Sequence, residues 1–191
     1  TNTIVNQVVA MQQMVDNFRD YAKTPPPLLK PLNLNALIEE ILELYGGVEG
    51  NRHVHAQLDP ALPEILGDAT QLRQVVHNLL QNALDATAEV RKDGGPPRIE
   101  LATEAIRYTD ADGSTRTAVR LSVVDNGPGF SPAVLPRAFE PYVTSKPKGT
   151  GLGLPVVKKI VEEHGGRIEL TNRRETRGAQ VLILLLKLVA I

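Results

Sequence analysis

Four short stretches of the chain combine residue types and spacings that can do chemistry. In the first, Asn78 and Asn82 stand four residues apart, so on a helix their amides stack on one face. Two uncharged oxygen ligands at that spacing suit a magnesium ion that keeps most of its ligands as water and phosphate. Hydrogen bonding to neighbouring backbone is the commoner use of such asparagines. The second stretch, Val123-Val124-Asp125-Asn126-Gly127-Pro128-Gly129-Phe130, is an apolar run that meets an acid and then two glycines. A carboxylate at a strand end accepts hydrogen bonds from a purine amino group, and glycines let backbone approach a flat ring without a Cβ clash. Asp-Asn-Gly is equally good turn sequence. The third, Gly149-Thr150-Gly151-Leu152-Gly153-Leu154, precedes an apolar helical pattern and offers free backbone N–H groups at a helix N-terminus, which is a phosphate site or a hinge. Its spacing is neither that of a P-loop nor that of a dinucleotide fingerprint. The fourth, Phe139-Glu140-Pro141-Tyr142-Val143-Thr144-Ser145-Lys146, ends in a cation that reaches a terminal phosphate from a loop or else stays solvated at the surface.

Holding such groups in place takes regular elements, and the hydrophobic spacing supplies them. With Leu79 as origin and about 100° per residue, Leu72, Val75, Val76, Ala83 and Ala86 fall within roughly 60° of it, which predicts a helix over 68–91 with one buried stripe. Asn78 and Asn82 lie just beside that stripe. At the N-terminus, Ile4, Val8, Met11, Val15, Phe18 and Ala22 recur at helical spacing and predict one long amphipathic helix. Pro25-Pro26-Pro27 ends it, so the chain divides into 1–24, a linker at 25–31 and a main domain at 32–191. A lone helix with such a stripe buries it against the main domain or in a bundle with other helices.

Within the main domain, Asn33 is placed to cap a helix through Leu37, Ile38, Ile41, Leu42 and Tyr45 that stops at Gly46-Gly47. Strands are predicted at 53–58, 98–108 and 118–124, the last two antiparallel neighbours joined by a hairpin around 110–114. Gly- and Pro-rich sequence fills 125–150, a helix covers 152–164, and strands cover 167–171 and 179–186. The order implies an α+β fold, a two-layer α/β sandwich with a mixed sheet and helices on one face, preceded by the long N-terminal helix.

Composition narrows the function. The 191 residues, 42% of them hydrophobic, suffice for one core with an appendage. The 21 basic and 22 acidic residues carry no block of like charge, which argues against nucleic acid as a partner and against a polybasic membrane anchor. The chain has no cysteine, which removes disulfides, thiolate metal sites and cysteine nucleophiles. The longest strongly apolar stretch, 181–191, is interrupted by Lys187 and too short to span a bilayer, so no membrane contact is expected of this segment.

In order and spacing the four stretches resemble the N, G1, F and G2 boxes of sensor histidine kinases. Those boxes read here Gln74-Val75-Val76-His77-Asn78-Leu79-Leu80-Gln81-Asn82-Ala83, then Asp125-Asn126-Gly127-Pro128-Gly129-Phe130, then Phe139-Glu140-Pro141-Tyr142, then Gly149-Thr150-Gly151-Leu152-Gly153-Leu154. The resemblance runs from about Pro31 to the end, and Arg177-Gly178-Ala179 is similar to the family's last glycine element. It implies the Bergerat ATP-binding fold of gyrase, heat-shock chaperone and mismatch-repair ATPases. The Phe-Glu-Pro-Tyr-Val-Thr-Ser-Lys wording, the short lid and Asn82-Ala83-Leu84-Asp85-Ala86 are most similar to nitrogen-regulation (Ntr-type) sensors.

The resemblance implies ATP and Mg2+ as cofactors. It implies that Asn82 ligates magnesium, with Asn78 on the metal or its water, and that Asp125 recognises the adenine amino group. Gly127 and Gly129 line the base pocket, Gly149, Gly151, Leu152 and Gly153 offer backbone to the phosphates, and Asp85, Phe130, Thr144 and Thr150 complete the nucleotide-binding set. The loop 131–150 closes as a lid, and Lys146 contacts the γ-phosphate; Asn78, Asn82 and Lys146 carry catalysis. The activity implied is transfer of the γ-phosphoryl group to a histidine outside this chain, for relay to the receiver domain of a response regulator. A parent that dimerises through an N-terminal helical hairpin is implied too, with this chain as a cytoplasmic domain and an inner-membrane anchor left open.

The sequence also departs from the family. A complete kinase carries a His-Glu/Asp-x-x-x-Pro box on the first helix of that hairpin, and nothing here matches it; the helix at 1–24 resembles the second. Autophosphorylation is therefore not expected of this chain alone. His77 lies inside the nucleotide-binding helix, where a pocket or packing role is expected, and His53, His55 and His164 lack a suitable context. Two other functions compete: an ATP-hydrolysing conformational switch of the gyrase and chaperone type, and an adaptor without kinase activity. The switch proteins use a glutamate as general base where this chain has Asn78, which cannot take a proton.

Overall fold

The computed structural model describes residues 4–5, 7–9, 11–12, 15, 18–19, 25–45, 53–90, 96–144 and 149–190. Asn33 caps the first helix of the main domain as expected, its Oδ1 accepting from Ala36 N–H at 3.0 Å, and the helix α1 spans Leu34–Leu44. It follows strand β1 (Lys30–Leu32) and precedes β2 (Val54–Leu58) and β3 (Ile65–Gly67). Next come α2 (Ala69–Val90), β4 (Ile99–Thr109), β5 (Thr115–Asp125), a 3-10 turn at Leu135–Arg137, α3 (Gly153–Glu163), β6 (Arg167–Asn172) and β7 (Ala179–Leu185).

The main sheet has the order β2-β4-β5-β7-β6, with β2 parallel to β4 and the remaining pairs antiparallel. The hairpin β4–β5 turns where Asp110 N–H donates to Ser114 O. Alternation along β7 buries Ala179, Val181, Ile183 and Leu185. These residues, with Ile99, Leu101, Val119, Leu121 and Val123, face Leu72, Val75, Val76, Leu79, Leu80 and Ala83 of α2 and Val157, Ile160 and Val161 of α3. The α1 residues Leu34, Leu37, Ile38, Ile41 and Leu42 complete the core. This is the mixed two-layer α+β sandwich expected.

Three features depart from the expected elements. Lys30 and Pro31, placed in the linker by sequence, open β1, which pairs with the unanticipated β3 through Lys30↔Gly67 and Leu32↔Ile65. Each is three residues long, below the length at which alternation signals a strand. The 3-10 turn lies inside 125–150, which carries no periodic pattern. On α2 the buried stripe continues through Leu80 rather than Ala86, which is only half-buried and turns toward a cavity.

At the N-terminus, Ile4, Val8, Met11, Val15 and Phe18 are helical, and each is exposed, from 48% at Phe18 to 68% at Ile4. Ala22 and Gly46-Gly47 lie outside the described residues. Among the described residues no helix is long and apolar enough to cross a membrane.

Candidate functional site

A cavity of about 800 Å³ opens between α2, the ends of β5 and β7, and the irregular segment leading into α3. Its floor follows from two regular elements. On α2 the amphipathic pattern buries Leu79 and Ala83 and leaves Asn78 and Asn82 beside them, facing the cavity with Asp85 and Ala86. On β5 the core alternation that buries Leu121 and Val123 brings Asp125 inward as well, so a carboxylate ends the strand at 8% exposure. Its Oδ1 accepts from Gly127 N–H at 2.8 Å and from Ala179 N–H at 3.4 Å, which fixes the carboxylate on the floor.

The roof is irregular. Gly129, Phe130, Thr144, Gly149, Thr150, Gly151 and Gly153 all line the cavity. Gly151 has φ +68, and a Cβ there would sit 2.6 Å from the backbone of Tyr142, so only glycine fits where the two segments touch. Tyr142 N–H donates to Gly151 O at 3.0 Å across that contact. Gly153 opens α3, and the position a Cβ would take there lies 3.7 Å from Asn82 Nδ2. The asparagine on α2 and the N-terminus of α3 thus face one volume, where the helix dipole and free N–H groups favour an anion.

Of the residues singled out from sequence, Asn78, Asn82, Asp85, Asp125, Gly129, Phe130, Thr144, Gly149, Thr150, Gly151 and Gly153 meet at the cavity. Gly127 stands behind it as a donor to Asp125, and Leu152 turns its side chain into the core at 2% exposure. Lys146 lies outside the described residues. Among the described residues no lysine or arginine lines the cavity, whereas Asp85 and Asp125 do.

Among further participants, Asn126 and Gly178 stand in motifs read from the sequence, whereas Asn172 carries no legible signal. Asn172, at the end of β6, donates through Nδ2 to Phe130 O at 2.7 Å and accepts through Oδ1 from Phe130 N–H at 2.8 Å, clasping the roof where it leaves Gly129. Asn126 holds the edge beneath through Arg98 N–H at 2.8 Å and Pro96 O at 3.0 Å. Gly178 backs Asp125 so closely that a Cβ would collide with the Asp125 carbonyl oxygen. On the outer face of α2, Gln81 Nε2 donates to Asp85 Oδ1 at 2.8 Å, and Tyr45 OH shares a hydrogen bond with His77 Nδ1 at 2.7 Å. Burial, and then the negative charge of Asp85, push the Tyr45 hydroxyl above its usual range.

His164 is buried at the C-terminus of α3, where Nε2 accepts from Asp68 N–H at 3.0 Å and Nδ1 pairs with Ile160 O at 2.8 Å. His164 therefore has a packing role, whereas His77, expected in a pocket or packing role, is exposed and engages Tyr45.

Comparison with known proteins agrees with this geometry. Residues 67–189 match the family described as histidine kinase-, DNA gyrase B-, and HSP90-like ATPases. The chain belongs to that family. Within it, the chain is 34% identical over 175 residues to the sensory histidine kinase/phosphatase NtrB of Rhodobacter capsulatus, across 90% of this chain and 48% of that protein. It spans about half the length of that relative. The catalytic domain of histidine kinase ThkA is 32% identical, with 83% of this chain and 95% of the domain superposed at a TM-score of 0.65. ThkA in complex with response regulator protein TrrA superposes over 97% of this chain and 50% of that one, at a TM-score of 0.72 and 29% identity. Full-length ShkA in complex with AMPPNP superposes over 98% of this chain and 38% of that one, at a TM-score of 0.74 and 25% identity. This chain is accordingly an ATP-binding catalytic domain of the sensor histidine kinase type, similar in sequence to nitrogen-regulation sensors.

Proposed function

We propose that the cavity binds Mg-ATP with its adenine at Asp125 and its phosphates between Asn82 and the N-terminus of α3. The observation that carries this is the pairing, across one cavity, of a buried carboxylate held by Gly127 with an asparagine facing a helix start. A triphosphate there meets no described cationic side chain, so its charge is met by backbone N–H groups, by Lys146 and by a divalent ion. Asn82 and Asn78 would hold the magnesium as neutral oxygen donors, and the ion would neutralise charge on the phosphates.

With ATP so placed, the γ-phosphoryl group goes to a histidine on another segment, because none of this chain's histidines lies in a phosphoacceptor box and His77 and His164 are engaged in hydrogen bonds with Tyr45 and Asp68. The exposed apolar stripe of the N-terminal helix is the surface by which a parent would dimerise in a helical bundle. We place the domain in the cytoplasm, with residues 1–24 as part of the dimerisation hairpin, 25–31 as linker and 32–191 as the catalytic unit. By analogy with ThkA, the phosphoryl group passes on to a response regulator receiver domain.

Calorimetric titration with a non-hydrolysable ATP analogue, with and without magnesium, tests the site. Binding should be lost in Asp125→Ala and lose its magnesium dependence in Asn82→Ala; no binding by the folded wild type would sink the reading. A gyrase-like switch is disfavoured by Asn78 in place of the base, and brisk ATP hydrolysis abolished by Asn78→Ala would restore it.

A further inference from the structure

We infer that Phe18 is a positioning residue for the phosphate loop, acting through Tyr142. The inference rests on the ATP-site reading and names a residue outside the nucleotide-binding domain. Tyr142 has φ +66, the only positive φ at a non-glycine among the described residues. A side-chain-bearing residue keeps that backbone only where its surroundings hold it.

Two contacts do so. On one side, its N–H donates to Gly151 O at 3.0 Å, and the two backbones touch so closely that a Cβ on Gly151 would overlap the Tyr142 Cα and carbonyl carbon. On the other side, its ring stacks on Phe18 of the N-terminal helix, with centroids 6.5 Å apart and planes inclined by 22°. The Tyr142 side chain is half-exposed and does not line the cavity, whereas its neighbours Val143 and Thr144 and its partner Gly151 do. Tyr142 therefore braces the loop that starts α3 from outside the cavity. The stack ties that brace to the helix across the Pro-rich segment. By linkage, whatever strengthens the stack strengthens triphosphate binding, and triphosphate strengthens the stack.

The test titrates wild type, Phe18→Ala and Phe18→Tyr with a magnesium-bound non-hydrolysable ATP analogue and with adenosine, which has no phosphates. Phe18→Ala should weaken the triphosphate analogue by about two- to tenfold, the worth of an aromatic pair, with adenosine unchanged and with Phe18→Tyr close to wild type. Equal affinities in wild type and Phe18→Ala, or equal losses on both ligands, would overturn the inference. Hydrogen exchange in the ligand-free proteins decides separately: the Tyr142 amide should exchange several-fold faster in Phe18→Ala, and unchanged protection refutes the brace. If wild type bound neither ligand, the ATP-site reading would fail while the exchange result still judged the contact.

Discussion

The floor and the roof of the cavity are built by different means. The floor consists of one face of α2 and the end of β5, whose functional groups are fixed because the same periodicity that buries Leu79 and Val123 aims Asn82 and Asp125. Among the described residues from Pro128 to Gly153, the roof shows one 3-10 turn and is tied to its surroundings by particular contacts, among them Phe130 to Asn172, Tyr142 to Gly151 and Tyr142 to Phe18. A floor made of core is stable but has little freedom. The described part of the roof relies on these local contacts instead of on burial in the core.

The comparison predicts that floor substitutions cost stability and roof substitutions cost affinity. Leu80→Ala, deep beneath the floor, should lower unfolding free energy by about 2–5 kcal/mol in chemical denaturation, leaving the affinity of the folded fraction nearly unchanged. Asp125→Asn sits where the two regimes meet: loss of the ionised acceptor should weaken ATP-analogue binding by about 1–3 kcal/mol while thermal stability moves less. In the roof, Gly151→Ala should weaken the analogue by at least about 1–2 kcal/mol, because an alanine resists positive φ and its Cβ would overlap the Tyr142 backbone, with the strain relieved by a shift of the roof and not of the core. A large stability loss there would break the distinction. Asn172→Ala should cost about 1 kcal/mol of affinity and speed hydrogen exchange at Phe130.

The smallest effect concerns pH. Partial burial works against ionising Asp68, but N–H donors from Leu28, Gln71 and Thr70, with His164, outweigh it and hold the carboxyl below its usual range. Its folded pKa lies below its unfolded one, so its contribution to stability is present above the unfolded value, near about 4, and fades as pH falls through the folded value. Asp68→Ala should therefore flatten the acid limb of stability against pH below about pH 4, and by less than the roof and core changes.

The floor was legible because periodicity is a local property. The 3.6-residue stripe around Leu79 located α2 and the asparagines together, and the apolar run into Asp125 marked both a strand and its terminal acid. The clasp of Asn172 on Phe130 joins residues 42 apart in sequence, and no pattern near Asn172 announces it. Likewise Pro31 reads as a breaker until β3 arrives to pair with its strand. Of the roof, the glycines and the Phe-Glu-Pro-Tyr-Val-Thr-Ser-Lys run were legible as motifs, but none of the contacts that hold them was.

Besides the pairing of β1 with β3, the Pro-rich segment is fastened at the start of α2, where Gln71 Nε2 donates to Pro25 O at 2.8 Å and Asp68 Oδ2 accepts from Leu28 N–H at 2.9 Å. Asn82 lies fourteen residues beyond Asp68 on that helix, about 21 Å along its axis. The same helix, its apolar stripe packed in the core along the way, thus joins the fastening of the Pro-rich segment to the nucleotide cavity.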